Sequence, residues 1–297
     1  MIFFANTSMK QYLSIILLLV CVFPIFGQDS QYQLGAGSKR QEGVPQGTVT
    51  RFLFESKLYG NFRYYYLYVP AQYNPKTSAA LMIFQDGYAY IREDEDFRAG
   101  IVFDNLIAKK QMPVTIGLFV NPGHSSKDFP EIFFRSSNRS DEYDEMSDRY
   151  DNFLLNELIP EIKKQYNISD DRKMHAIGGL SSGGIAAFTA AWQRPDYFSK
   201  VMSHFGSFTD IKGGNEYPNL IRKGSKKDIK VFLQDGTGDL DNIHGNWWLA
   251  NLEIEASLKF KGYEYKFEKG TGGHGGKHGG AILPESLVWL WSDVMSN

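Results

Sequence analysis

From residue 48 onward, apolar positions switch between a two-residue and a 3.6-residue period, which predicts strands and helices in alternation. Residues 62–69 (FRYYYLYV) are aromatic and end at Pro70, the pattern of an antiparallel-type strand. Continuous apolar runs at 79–84 (AALMIF) and 114–120 (VTIGLFV) predict strands covered on both faces. Further strands are predicted at 173–178, 201–205, 229–233 and 263–267. Apolar residues at 150, 153, 154, 158, 162 and 166 fall at helical intervals, with Pro160 kinking or shortening that helix. Other helices are predicted at 183–193, 248–260 and 284–295. Residues 28–47 are rich in Gly, Gln and Ser, lack periodicity and read as a linker. With no internal repeat and no second linker, residues 48–297 form one α/β domain, a mostly parallel central sheet with helices on both faces.

The N-terminus departs from this pattern. Lys10 precedes an apolar run at 13–26 that gives way at Gly27 to the polar Gln28, Asp29 and Ser30. That order predicts a signal peptide over residues 1–27, the run being short for a membrane span of about 20 apolar residues. Cys21 also permits a lipoprotein reading, although Val20 stands where a small residue is wanted. Cys21 is the sole cysteine, so the processed chain has no disulfide, which suits a bacterial periplasm or exterior. An apolar content of 42% supplies a core, and the net charge of -2 gives no electrostatic reason to expect nucleic acid or an anionic membrane as partner.

Candidate chemistry begins at Gly179-Leu180-Ser181-Ser182-Gly183, a G-x-S-x-G motif between an apolar strand and an Ala-rich helix. A nucleophile there sits on a sharp turn with strained backbone, which needs small neighbours on both sides. Ser181 has glycine two positions away in each direction, and Ser182 is placed to give its backbone N–H to an oxyanion hole. A serine needs a base, which in this fold comes last in the chain. His274 and His278 both lie in the Gly-rich stretch before the final helix, with His274 the better placed. His-x-x-x-His also suits two metal ligands, but no third accompanies them, so no metal is expected. The acid is expected after the 229–233 strand, where Asp239 follows two small turn residues and Asp235 and Asp241 are alternatives. Gly87 or Tyr88, after the 79–84 strand, offers the second oxyanion N–H.

The segments LMIFQDG, GLSSGGIAAF, VFLQDGTGDLDN and GTGGHGGKHGGAILPESLVWLW resemble an esterase family of the α/β-hydrolase superfamily. It takes in esterase D-like enzymes, ferric-enterobactin esterases and the feruloyl and acetyl-xylan esterases of carbohydrate esterase family one. The similarity runs over residues 50–295 and implies a single-domain α/β-hydrolase with a Ser-Asp-His triad and no cofactor. By motif order Ser181 is the nucleophile, Asp239 the acid and His274 the base. Asn138-Arg139 with Glu142-Tyr143-Asp144 resembles a segment that borders the site. His278 stands where siderophore esterases carry aromatic and Arg residues, which turns the expectation from an enterochelin-type substrate toward acetyl or feruloyl esters of carbohydrate or aryl alcohols. Trp247 and Trp248, beside Asn246, resemble a substrate-facing patch, although paired Trp is equally a core feature. The other function classes open to this chain are an acyltransferase with the same triad and a glycan-binding protein on the hydrolase scaffold. The expected partner is a small-molecule or glycan ester, with no membrane insertion after signal removal.

Overall fold

The buried apolar runs become the centre of an eight-stranded sheet. The computed structural model describes residues 29–127 and 138–295, so the run at 13–26 and its cleavage point lie outside the described residues. The strands are β1 (Thr48–Ser56), β2 (Asn61–Val69), β3 (Ala80–Gln85), β4 (Thr115–Val120), β5 (His175–Leu180), β6 (Lys200–His204) and β7 (Lys230–Gly236). A small hairpin, β8 (Asp241–Asn242) and β9 (Gly245–Asn246), precedes the last strand, β10 (Glu264–Gly270). The large sheet runs β1-β2-β4-β3-β5-β6-β7-β10, antiparallel at β1/β2 and β2/β4 and parallel elsewhere.

The helices are α1 (Gly87–Ile91), α2 (Ala99–Ala108), α3 (Arg139–Tyr143), α4 (Arg149–Phe153), α5 (Ile159–Lys163), α6 (Ser182–Gln193), α7 (Tyr217–Lys223), α8 (Trp247–Lys261) and α9 (Gly276–Met295). Alternation along the central strands divides the core between the two faces. Leu81 and Ile83 of β3 share one core with Phe153, Phe188, Tyr217 and Ile254 from α4, α6, α7 and α8. Met82 and Phe84 of the same strand pack with Phe103 of α2 and Leu287 and Trp291 of α9. Helices therefore cover both faces of one sheet, as the sequence predicts.

Three elements differ from the sequence reading. The helix expected over 148–166 contains a π turn, Leu154–Leu158, between α4 and α5. That wider turn adjoins Pro160, which cannot donate to the preceding turn. The final helix begins at Gly276 rather than 284 and carries Pro284 inside it. Glycines disguise its first turns: a Cβ on Gly280 would lie 2.2 Å from the Asp96 carbonyl oxygen, so this close packing needs a residue of low helix propensity. Of the linker read over residues 28–47, the described residues 29–47 run along the domain and carry a 3-10 turn at Ala36–Ser38. Tyr32 stacks on His278 at 4.2 Å and its hydroxyl accepts the Thr271 N–H, while Asp29 Oδ1 accepts the Gly273 N–H.

β6 ends in a fully buried imidazole, that of His204, which bonds the Tyr90 hydroxyl through Nδ1 at 2.8 Å. Burial, then the nearby His278, pushes its pKa down to about 3 from the ordinary 6.5. Above 6.5 the group is neutral whether folded or not. Below that, the unfolded chain takes up a proton the folded one refuses, so stability is lost from 6.5 down toward 3. Between pH 6.5 and 5 this loss is roughly 2 kcal/mol, at about 1.4 kcal/mol per unit. Urea unfolding at both pH values should show His204→Phe losing that much less than wild type. Equal losses would remove His204 as the cause.

Candidate active site

The turn from β5 to α6 places Ser181 above the sheet with φ 54° and ψ -124°, outside the regions favoured by side chains other than glycine. The flanking glycines allow that turn. A Cβ on Gly179 would lie 2.1 Å from the Gly183 carbonyl oxygen, and one on Gly183 would lie 2.7 Å from Asp86 Oδ2. The turn is tied to the next strand by Ser181 N–H to the His204 carbonyl at 3.0 Å, and by Ser207 N–H to the Ser181 carbonyl at 3.0 Å. Asp86 and Phe205, beside the same site, also have positive φ.

The expected partners converge on this serine. His274 Nε2 lies 2.8 Å from Ser181 Oγ, and its Nδ1 lies 2.6 Å from Asp239 Oδ1. The neutral Nδ1–H tautomer satisfies both bonds, donating to the carboxylate while Nε2 accepts from the hydroxyl. Asp239 Oδ1 also accepts the Leu240 N–H at 2.6 Å, and the carboxyl is fully buried. Phe205 and Trp247 meet the imidazole edge-on at centroid distances of 4.8 and 5.9 Å.

A cavity of about 400 Å³ opens over Ser181 and His274. Ala89, Phe97, Leu180 and Phe205 give it apolar walls, and Glu95, Asp96 and Arg139 give it a charged side. Arg139 clamps Asp86 through two bonds, Nε to Oδ1 at 2.8 Å and Nη2 to Oδ2 at 2.6 Å. Burial pushes the Asp86 carboxyl above its ordinary range, against the pull of Arg139. Half-buried Asp96 is pushed up as well by burial, partly offset by Lys277.

The remaining residues singled out in the sequence lie as follows. Ser182 opens α6 and is buried. Gly87 opens α1 against the Phe119–Val120 backbone, while the Tyr88 N–H is taken up by Asn121 Oδ1 at 3.0 Å. Trp247 is buried and donates from Nε1 to Ser207 Oγ at 3.1 Å, so it backs the histidine from the core side. Asn246 caps α8 by accepting the Leu249 N–H at 2.9 Å. His278 is buried in α9, bonded to Gln234 Nε2 at 3.0 Å and stacked on Tyr32. Asp235 is fully buried behind Asp239, and exposed Asp241 belongs to the β8–β9 hairpin. Phe97, Phe205 and Ser207 carry no motif in the sequence, since their places beside the site arise from elements distant along the chain. Among the described residues no group of three His, Cys, Asp or Glu side chains is arranged to hold a metal, and no helix is long and apolar enough to cross a membrane.

Fold and site together define an α/β-hydrolase with a serine-centred cavity. The family described as "Putative esterase", one of carboxylic ester hydrolases, matches residues 56–279, and the chain belongs to it. An endo-1,4-beta-xylanase/feruloyl esterase of Xylanibacter ruminicola is 25% identical over 234 residues, covering 75% of this chain and 28% of that protein. The ferric enterobactin esterase structure from Salmonella typhimurium superposes with a TM-score of 0.72 at 21% identity, covering 89% of this chain and 63% of that one. The CE1 ferulic acid esterase of the anaerobic fungus Anaeromyces mucronatus gives 0.67 at 16% identity, covering 89% of this chain and 100% of that one. The chain thus spans under a third of the xylanase relative and under two thirds of the enterobactin esterase.

Proposed function

We propose that this protein hydrolyses carboxylic esters through a Ser181–His274–Asp239 triad and an acyl-enzyme, acting on acetyl- or feruloyl-type esters of carbohydrate or aryl alcohols. What carries the reading is the continuous line of hydrogen bonds from Ser181 Oγ through His274 to Asp239. His274 Nε2 takes the Ser181 proton as Oγ attacks the ester carbonyl, and Asp239 stabilises the imidazolium. The N–H groups of Ser182 and Gly87, at the starts of α6 and α1, bind the oxyanion. Collapse of the tetrahedral intermediate passes the His274 proton to the leaving alcohol and leaves the acyl group on Ser181. Water, deprotonated by the same imidazole, then releases the acid. Protonating His274 removes the base, so turnover falls on acidification.

The apolar walls and volume of the cavity suit a planar acyl group over the serine. The feruloyl esterase relative favours the same substrate class. Export to the periplasm or beyond rests on the run at 13–26. The test is to mix the mature protein with nitrophenyl acetate and with methyl ferulate, and to trap the intermediate for intact-mass analysis. A burst of alcohol with an acyl mass on the Ser181 peptide is the expected result. No acid from either ester, and no fluorophosphonate labelling of Ser181, would overturn it.

A further inference from the structure

Asp235 lies at the end of β7 with its carboxyl fully buried, and the reaction above makes no use of it. Its Oδ1 accepts the Gly236 N–H at 2.7 Å, and its Oδ2 lies 2.9 Å from Asn251 Nδ2. That amide also donates to the carbonyls of Gly206 and Trp247, at 3.0 Å each. Four residues on, the bonds from His274 and Leu240 both end on Asp239 Oδ1. Asp239 Oδ2 is buried and has no donor among the described residues unless Asp235 supplies one. The Asp239 N–H bonds the Gly236 carbonyl at 3.1 Å, a turn that folds Asp239 back beside Asp235 and makes the two carboxyls neighbours. Carboxyl groups sharing a dry site do not both ionise: one keeps a proton and donates it to the other. Asp239 faces an imidazole whose cation favours its charge, so the proton belongs on Asp235.

We propose that Asp235 is a positioning residue: it donates an O–H to Asp239 Oδ2 from behind, which keeps Oδ1 aimed at His274 Nδ1. This rests on the Ser181–His274–Asp239 reading. Burial, then the neighbouring Asp239, pushes the Asp235 carboxyl well above the ordinary carboxylate range, so it keeps its proton at neutral pH. The other ionisable groups around it are His274, beyond Asp239, and Lys269, in register on β10 with its ammonium paired to Glu255 at 2.6 Å. His204 and His278 gather around the preceding residue, Gln234, whose side chain alternates to the opposite face of β7.

The test compares pH profiles of kcat/KM on nitrophenyl acetate for wild type, Asp235→Asn and Asp235→Leu, with Asp239→Asn and Ser181→Ala alongside. Leu fills the space without a donor. It should lower kcat by about tenfold to a hundredfold with little change in KM. It should also raise the acid-side midpoint, because a carboxylate with one donor fewer holds the imidazolium more strongly. Asn keeps a donor and should restore kcat to near wild type with the midpoint unmoved. A midpoint lowered by about one unit or more in Asp235→Asn would mean a charge had been removed, and would overturn the proposal. Wild-type kcat and midpoint in Asp235→Leu would overturn it too. Should Asp235→Leu fail to fold, the Asp235→Asn midpoint decides alone: unmoved supports the proposal, lowered overturns it. An inert Asp235→Asn beside an active Asp239→Asn would make Asp235 the triad acid, and an active Ser181→Ala would bring down the triad itself.

Discussion

Ser181→Ala should lower kcat on nitrophenyl acetate by roughly 10⁴- to 10⁶-fold while leaving KM within a few-fold of wild type. In the proposed mechanism the Ser181 oxygen is the atom that bonds covalently to the acyl group, so its loss removes the two-step route rather than weakening it. The proposed oxyanion donors and the cavity walls remain, and they should set the residual rate over water. His274→Ala should fall by a comparable factor, and the double variant should be little worse than either single one, because nucleophile and base act as one unit. Steady-state rates on all three variants check this. A variant without Ser181 that kept even a tenth of the wild-type rate would show that another group attacks the ester.

The second large effect concerns stability. Arg63 and Glu142 are fully buried and form an ion pair of 2.7 Å between Nη1 and Oε2. Glu142 also takes the Asn61 amide at 2.7 Å and the Gly123 N–H at 3.1 Å, and the Arg63 guanidinium lies over the Phe153 ring at 3.9 Å. Glu142→Ala strands a buried guanidinium, and a broken buried pair costs about 3 to 5 kcal/mol. Replacing both partners, as Arg63→Met with Glu142→Leu, removes the stranded charge and should recover much of that. Urea unfolding of the three proteins measures it. A loss under about 1 kcal/mol in Glu142→Ala would show that water reaches the site. Catalysis should suffer as well. Glu142 and Arg139 share the short helix α3, so releasing one end loosens the clamp on Asp86.

Particular residues explain what the sequence makes legible. The strands at 79–84 and 114–120 stand out because both of their faces are buried, which leaves no polar interruption. Ser181, Asp239 and His274 stand out because each occupies a turn whose small neighbours mark it. Helix α2 does not: nine of its ten residues are buried, so it has no polar face to reveal a period. β1 is illegible for the opposite reason, being an edge strand whose first four residues are exposed. The placement of His278 is illegible because glycines at 275, 276, 279 and 280 suggest a loop, whereas Gly276, Gly279 and Gly280 lie in α9, packed closely against Asp96 and His204. Tyr88 and Asn246 show a different limit. Their polar groups are taken by Asn121 and by the start of α8, partners that only tertiary or capping geometry assigns.

The contacts of residues 29–32 bear on how the molecule comes into being. Gln31 bonds Thr271 across 240 positions of chain, and Asp29 bonds Gly273 across 244, immediately before the histidine. Closing so long a stretch carries an entropic cost that must be met before the bonds repay it, and contacts of such separation form slowly. The loop bearing His274 is thus held by a segment that lies far away along the chain. Seating of that loop therefore belongs to the closing steps of folding. During refolding, ester cleavage therefore returns after the helices and the central sheet have regained their spectroscopic signal.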